Sequence, residues 1–227
     1  MKFFLRIEAS LLALGFVFLA LTGCASGSML VDISKASWLS TAGSSVQEPA
    51  NTQFNPRYRY LRVELAGKAP AFMVLGYLDA HPLGDIEVWY SSKGETLKLQ
   101  NGRVVGAAGL SVTWLRVANP QVPPAWDSIS GAGVGFSRLR DELPGYHSAV
   151  LEQVFIKQLV QAPVATQTNV LQWFSESYSN KNDQTLPSSF YGLGQCGKKN
   201  VVVYSRQCLS TELCLTIQPW PPEKVCS

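Results

Sequence analysis

The sequence predicts a mainly β protein: an antiparallel meander forming a curved sheet, a sandwich or a partly closed barrel, with few short helices. Charged residues make up only 15% of the 227 residues and aromatic residues 11%, and Val, Thr, Ser, Gly and Pro are abundant, which is typical of β-rich secreted proteins. Apolar and polar residues alternate in short runs, as in strands with one buried face. Tight-turn residues separate these runs.

The first half of the folded part, which starts near Asn55, is predicted to be a series of hairpins. Gly67-Lys68, residues 92–95 and Asn101-Gly102 supply the turns between alternating runs. The prolines within 120–124 end the series, because proline cannot donate a hydrogen bond to a sheet. The predicted strands are 58–65, 71–77, 86–91, 96–100, 103–105 and 110–117.

The second half has weaker signals. Residues 128–135 are rich in glycine and are predicted to form a loop, as is the polar run 179–184. Residues 149–160 fit neither a period of 2 nor one of 3.6; we predict a strand, with a helix as the alternative. Residues 170–178 are also predicted to be a strand. A final hairpin is predicted from 201–206 and 213–218.

Four cysteines lie close together near the C-terminus, and none forms the C-x-x-C pair typical of zinc or redox centres. An even count in a secreted protein favours disulfides. Pairing Cys208 with Cys214 and Cys196 with Cys226 satisfies one antiparallel register on one face of the hairpin. The alternative pairs Cys196 with Cys208 and Cys214 with Cys226. No metal site is predicted.

The N-terminus predicts a lipid anchor. Lys2 and Arg6 precede an apolar run at 11–21, which is too short to cross a bilayer as a helix and is typical of a signal peptide. The run ends in Leu-Thr-Gly-Cys, which matches a bacterial lipoprotein cleavage box. Cleavage between Gly23 and Cys24 would make Cys24 the lipidated N-terminus of the mature protein.

The same segment predicts location and domain organisation. Ala25 stands where an inner-membrane retention signal would place Asp, so we expect a protein anchored to outer-membrane lipid through Cys24 and facing the periplasm. Residues 25–50 carry little charge and are rich in Ala, Ser and Gly, which suits a spacer. The predicted organisation is a signal peptide at 1–23, a lipidated tether at 24–54 and a single β-rich domain at 55–227 with a disulfide-stapled C-terminal hairpin.

Composition and motifs argue against several function classes. The formal net charge of +3 gives no electrostatic footprint for nucleic acid, so no nucleic-acid partner is predicted. The chain lacks G-x-S-x-G, H-E-x-x-H, G-x-G-x-x-G and P-loop patterns, and neither His81 nor His147 lies in a recognisable motif. No catalytic residue and no cofactor is therefore predicted. The carboxylate pairs that could serve glycoside hydrolysis, more simply interpreted as surface charge, are Asp85 with Glu87 and Asp141 with Glu142.

A binding surface is nevertheless predicted from arginines and aromatic residues. Arg138 and Arg140 share a face if their segment is extended, where guanidinium groups could bind carboxylates or stack on rings. The simpler interpretation is an ion pair, with Asp141 or Glu87, that fixes a loop. Tryptophans could stack on sugars, although most are expected in the core. The predicted surface comprises Trp89, Tyr90, Arg103, Arg138, Arg140, Asp141 and Tyr146.

Several short motifs, taken in order behind the cleavage box, resemble the YjbF/GfcB family of outer-membrane lipoproteins. The resemblance spans roughly residues 30–220 and does not include the four C-terminal cysteines. It implies a mainly antiparallel β lipoprotein from exopolysaccharide or group 4 capsule operons, with a role in polymer assembly or export and no established catalysis. The motifs are 60–63, 75–77, 87–91, 99–103, Arg140-Asp141, 144–146 and 205–207.

Three possible functions follow from these observations. The leading hypothesis is a non-enzymatic outer-membrane lipoprotein that assists assembly or export of exopolysaccharide or capsule, contacting the polysaccharide or polysaccharide-export proteins. The alternatives are a periplasmic carbohydrate-active enzyme and a purely structural envelope lipoprotein.

Overall fold

The computed structural model describes residues 54–165, 170, 172–180 and 185–222. The predicted signal peptide, Gly23, Cys24, the tether before Phe54 and Cys226 lie outside these residues. The described part contains twelve strands and a 3-10 turn at Trp126–Ser128. The strands are β1 (Tyr60–Leu65), β2 (Ala71–Asp79), β3 (Ile86–Ser91), β4 (Thr96–Gln100), β5 (Arg103–Ala108), β6 (Thr113–Ala118), β7 (Val134–Leu143), β8 (His147–Leu159), β9 (Gln172–Asn180), β10 (Ser189–Cys196), β11 (Lys199–Cys208) and β12 (Cys214–Trp220).

The strands form one closed antiparallel sheet. Each strand pairs with the next one along the chain, and β1 also pairs with β12, so the first and last strands complete the ring. This confirms the predicted mainly β meander. Closure leaves no edge strand with unpaired backbone groups, which is how such a sheet avoids pairing with other chains.

Residues 149–159 of the ambiguous run 149–160 are part of β8 and not of a helix. Glu152, Val154 and Ile156 are buried, whereas Leu151 and Phe155 between them are 41% and 45% exposed. Side chains therefore alternate between the inner and outer faces of the sheet, as in a strand. The period was unclear in the sequence because apolar residues occupy both faces of the strand and a carboxylate occupies the buried one.

The sequence-based boundaries differ from the structure in several places. Residues 134–135 begin β7 and residues 179–180 end β9, although both were predicted to be loop. In each case backbone pairing with β8 extends the strand beyond the point where its side chains suggest a loop. Strand β10 had no counterpart in the prediction, since Gly192 and Gly194 interrupt its apolar pattern.

Two apolar clusters fill the interior. The first joins side chains of β1 to β6 and β12, with Trp89 and Trp114 among its largest members. The second lies between β7, β8, β9 and β10 and is covered by Trp126. Hydrogen bonds link strands that are distant in the ring: Gln207 Oε1 on β11 accepts from the Val104 backbone N–H on β5 at 2.8 Å. The interior is therefore packed with side chains.

The last hairpin carries a disulfide. Cys208 and Cys214 are directly opposite each other in the register of β11 and β12, and the structure bonds them to each other. This bond is one of the two in the first predicted connectivity. Cys196 is also disulfide-bonded, whereas Cys226 lies beyond the described residues.

Removing this disulfide should lower the free energy of unfolding. The bonded residues are six positions apart, and the loop-entropy relation gives about 2 kcal/mol for so short a loop. Urea unfolding of the Cys208→Ala/Cys214→Ala variant, followed by tryptophan fluorescence, measures the change. An unfolding curve identical to that of the wild type would contradict the prediction.

Candidate functional site

The seven residues of the predicted binding surface do not form one surface. Trp89, Arg138 and Arg140 differ most clearly from the prediction, because their side chains are buried. Their exposures are 2%, 6% and 4%. The two arginines do share a face of β7, as alternation requires, but it is the inner face of the closed sheet. The remaining members are Tyr90 and Tyr146 on the outside, Arg103 with a largely buried side chain, and Asp141 in an ion pair.

Arg138 and Arg140 bind the carboxylate of Glu152 in the interior. Arg138 Nε donates to Glu152 Oε2 at 2.7 Å, and Arg140 Nη2 donates to Oε1 at 3.0 Å. The indole of Trp114 stacks with both guanidinium groups, at 5.2 and 5.0 Å from its centroid. Burial would raise the pKa of the Glu152 carboxyl, but the two arginines outweigh burial and hold the pKa below its usual value. Arg140 also contacts Glu142.

A second buried ion pair crosses the interior from β5 to β9. Arg103 Nε donates to Glu176 Oε1 at 2.7 Å, and the Tyr191 and Tyr178 hydroxyls donate to Oε2 at 2.9 and 3.1 Å. Burial, followed by the charge of Glu176, raises the pKa of both tyrosines, so both hydroxyls stay protonated and can donate. The Arg103 guanidinium lies 3.9 Å from the centroid of the Trp126 ring. These two groups of charges stabilise the packed interior.

Asp141 and Glu142 do not form a catalytic carboxylate pair. Asp141 accepts a hydrogen bond from the Ala149 N–H at 2.6 Å and pairs with Arg116 at 2.9 Å. The Ala149 hydrogen bond is the largest of the effects that lower the pKa of Asp141. Glu142 contacts Arg140. Each carboxylate is thus held by a cation, but the expected ion pair of Arg138 or Arg140 with Asp141 or Glu87 does not form, because Asp141 pairs with Arg116 and Glu87 with Arg59.

A large cavity of about 830 Å³ lies at the end of the sheet where β1 and β3 begin and β2 and β12 end. Arg59 Nη2 and Glu87 Oε1 form an ion pair at 2.6 Å, with side chains that are 58% and 29% exposed. The Arg59 guanidinium also lies 5.5 Å from the centroid of the Trp89 ring. The aromatic residues that line the cavity are Phe54, Tyr58, Tyr60, Trp89, Trp126 and Trp220.

A smaller cavity of about 370 Å³ adjoins the large one. Asn101, Trp126 and Asn200 line both, so they separate the two spaces. Trp126 Nε1 donates to the Asn101 carbonyl at 3.1 Å, and the Asn200 side chain donates to Asp127 at 2.7 Å. The wall between the cavities is therefore fixed by hydrogen bonds.

Sequence reasoning identified only part of this site. Trp89 and Arg103 belonged to the predicted surface, and Asp85 and Glu87 were singled out as a carboxylate pair; all four line one of the two cavities. Arg59 was missed, although the aromatic-basic alternation of 58–60 could have indicated it. Phe54 and Trp220 carry no local signal, because they reach the site only when β1 and β12 pair.

The described ranges contain neither a metal-binding cluster nor a membrane-spanning helix. No group of three or more His, Cys, Asp or Glu side chains there could hold a metal ion. No helix within these ranges is long and apolar enough to span a bilayer.

Comparison with known proteins shows a likeness in fold. No protein-family model and no curated protein sequence matches the chain. Among solved structures, the crystal structure of the hypothetical lipoprotein YmcC from Escherichia coli K12 superposes with a TM-score of 0.57 at 17% sequence identity. The match covers 73% of this chain and 84% of the YmcC chain. At this identity the likeness shows that the two chains share a fold.

Proposed function

We propose that this chain is a lipid-anchored outer-membrane protein that faces the periplasm and assists assembly or export of exopolysaccharide or capsule without catalysing a reaction. Three observations support the proposal. The sequence has a lipoprotein cleavage box ending at Cys24, and its motifs resemble the YjbF/GfcB family. YmcC, which has a similar fold, is described as a lipoprotein.

The observation that carries the proposed binding role is the large cavity. Its aromatic rings offer flat faces on which the apolar faces of sugars can pack, while Arg59 and Glu87 can exchange hydrogen bonds with hydroxyl groups. The chain enters this end at Phe54, directly after the predicted tether. A flexible tether of that length has a root-mean-square span of roughly 30 Å, which would keep the cavity near the membrane through which polymer leaves. The outer face of the sheet remains available to export proteins.

Polymer binding should depend on the Arg59–Glu87 pair. In the Arg59→Gln variant we expect affinity for the native polymer to fall about tenfold, the effect of losing one charged hydrogen bond. Isothermal titration with purified polymer fragments measures this affinity. Arg116→Gln is the matched control, since Arg116 is also exposed and paired with a carboxylate, at 2.9 Å, but lies outside both cavities. Equal affinity for all three proteins would contradict binding in the cavity.

Membrane attachment should depend on Cys24. In the Cys24→Ala variant the thiol that would carry the acyl chains is absent, so we expect the protein to move from the outer-membrane fraction to the soluble periplasmic fraction. Fractionation of cells, followed by immunodetection, checks this outcome. A Cys24→Ala protein that stays in the membrane fraction would contradict the anchor, as would an unacylated N-terminal peptide in mass spectrometry of the wild type.

One observation favours a second candidate, a periplasmic carbohydrate-active enzyme. Asp85 and Glu87, the carboxylate pair considered for glycoside hydrolysis, both line the large cavity. Incubation of wild type and Glu87→Gln with the native polymer separates the two functions. New reducing ends with the wild type alone would favour the enzyme; binding without cleavage by the wild type would favour the assembly factor. Unaltered polysaccharide after gene deletion would favour a structural lipoprotein.

A further inference from the structure

The two cavities are suited to one elongated ligand. They share Asn101, Trp126 and Asn200 as a common wall, and the Trp126 ring lines both sides of it. A linear oligosaccharide that occupies the large cavity would pass this wall to reach the small one. The hydrogen bonds of Trp126 and Asn200 fix the position of this wall.

Charge is distributed unequally between the cavities. In the large one, the cations Arg57 and Arg59 face the carboxylates Asp85 and Glu87. In the small one, Arg103 is balanced by Glu176, and Asp127 is the remaining carboxylate in its lining. Lys198 and Lys199 line the same cavity, are exposed, and pair with no carboxylate of the described residues. The large cavity is therefore nearly neutral, and the small one has an excess of positive charge.

We infer that the two cavities form one binding site for a polysaccharide segment that contains both neutral and acidic sugars. Neutral sugars occupy the large cavity against its aromatic rings, and the carboxylate of an acidic sugar reaches Lys198 and Lys199 in the small one. The inference rests on the proposed function, which it deepens by naming the chemical class of the polymer.

The test compares two probes that differ only in charge. Hyaluronan hexasaccharide alternates acidic and neutral sugars, and its carboxyl-reduced form has the same length without charge. Isothermal titration at low salt should show the acidic probe binding the wild type roughly five- to tenfold more tightly than the reduced probe, as two exposed charge contacts allow. Raising the salt concentration should reduce this difference.

Matched double variants locate the effect. Lys198→Gln/Lys199→Gln should remove the preference for the acidic probe. Lys68→Gln/Lys93→Gln should retain it, because it removes two exposed charges from the turns after β1 and β3, at the opposite end of the sheet. All four residues are in turns or at a strand end, so folding is preserved and circular dichroism verifies it.

The outcomes distinguish the inference from the proposed function. Equal binding of the two probes, no binding of the acidic probe, or equal losses in both double variants would overturn the acidic-polymer inference. The proposed function would survive any of these results if the native polymer still bound the wild type and bound Arg59→Gln less tightly. If the native polymer also failed to bind, polymer binding itself would be overturned.

Discussion

Replacing Glu152 by glutamine should lower the free energy of unfolding by about 3–5 kcal/mol, the usual cost of breaking a buried ion pair from one side. Glu152 is 1% exposed and is the carboxylate that Arg138 and Arg140 share. Without its charge, the two buried guanidinium groups would keep only the Glu142 carboxylate, which contacts Arg140, and the more distant charge of Glu176, which acts on Arg138. Urea unfolding with tryptophan fluorescence gives the change, since Trp114 stacks on both arginines.

The control is Asp141→Asn. Asp141 follows Arg140 on β7, and its carboxylate pairs with the exposed Arg116. We expect a much smaller change there, because solvent screens an exposed pair. Equal effects of the two substitutions would contradict a special role for the buried pair.

The same pair determines how stability responds to acid. Because the folded protein lowers the pKa of Glu152, its contribution is fully present above the ordinary glutamate value of 4.5. It is lost as the pH falls through the lower, folded pKa, since the unfolded chain then binds the proton more readily. Below pH 4.5, as the pH falls towards the lower pKa of the folded protein, the stability of the wild type should therefore decline more steeply than that of Glu152→Gln, which urea unfolding at a series of acidic pH values measures.

Replacing Trp126 by alanine should also cost about 3–5 kcal/mol, as is usual when a large aromatic side chain is removed from a core. Its ring packs on Phe174 and Tyr191, at centroid distances of 5.4 and 4.9 Å, and covers Arg103. The variant opens the wall between the two cavities, so its affinity for polymer should fall as well. Thermal or urea unfolding and titration with native polymer measure the two effects.

Trp126→Phe is the informative comparison. It keeps an aromatic ring against Phe174 and Tyr191 but loses the hydrogen bond from Nε1 to the Asn101 carbonyl, for which we expect about 1 kcal/mol. If Trp126→Ala were no less stable than Trp126→Phe, packing by the ring would not be what stabilises this end of the sheet.

The sequence by itself determined the class of the fold and most of its hairpins. Alternation and turn residues are local properties of a strand, so β2 and β3 were located within about two residues, the usual uncertainty of boundaries. The proximity of Cys208 and Cys214 was also predictable, because a short hairpin fixes which residues face each other. The lipid anchor is predicted from the sequence alone.

Only the tertiary structure decided what the charged residues of β7 do. Alternation places Arg138 and Arg140 on one face, but a period of 2 does not say which face is inside. That choice depends on closure of the sheet and on Glu152, a carboxylate on the neighbouring strand that makes burial of the two cations tolerable. The cavities were equally hidden from sequence analysis, since Phe54, Trp126 and Trp220 line one cavity only because β1 pairs with β12 and the β6–β7 connection reaches the same end of the sheet.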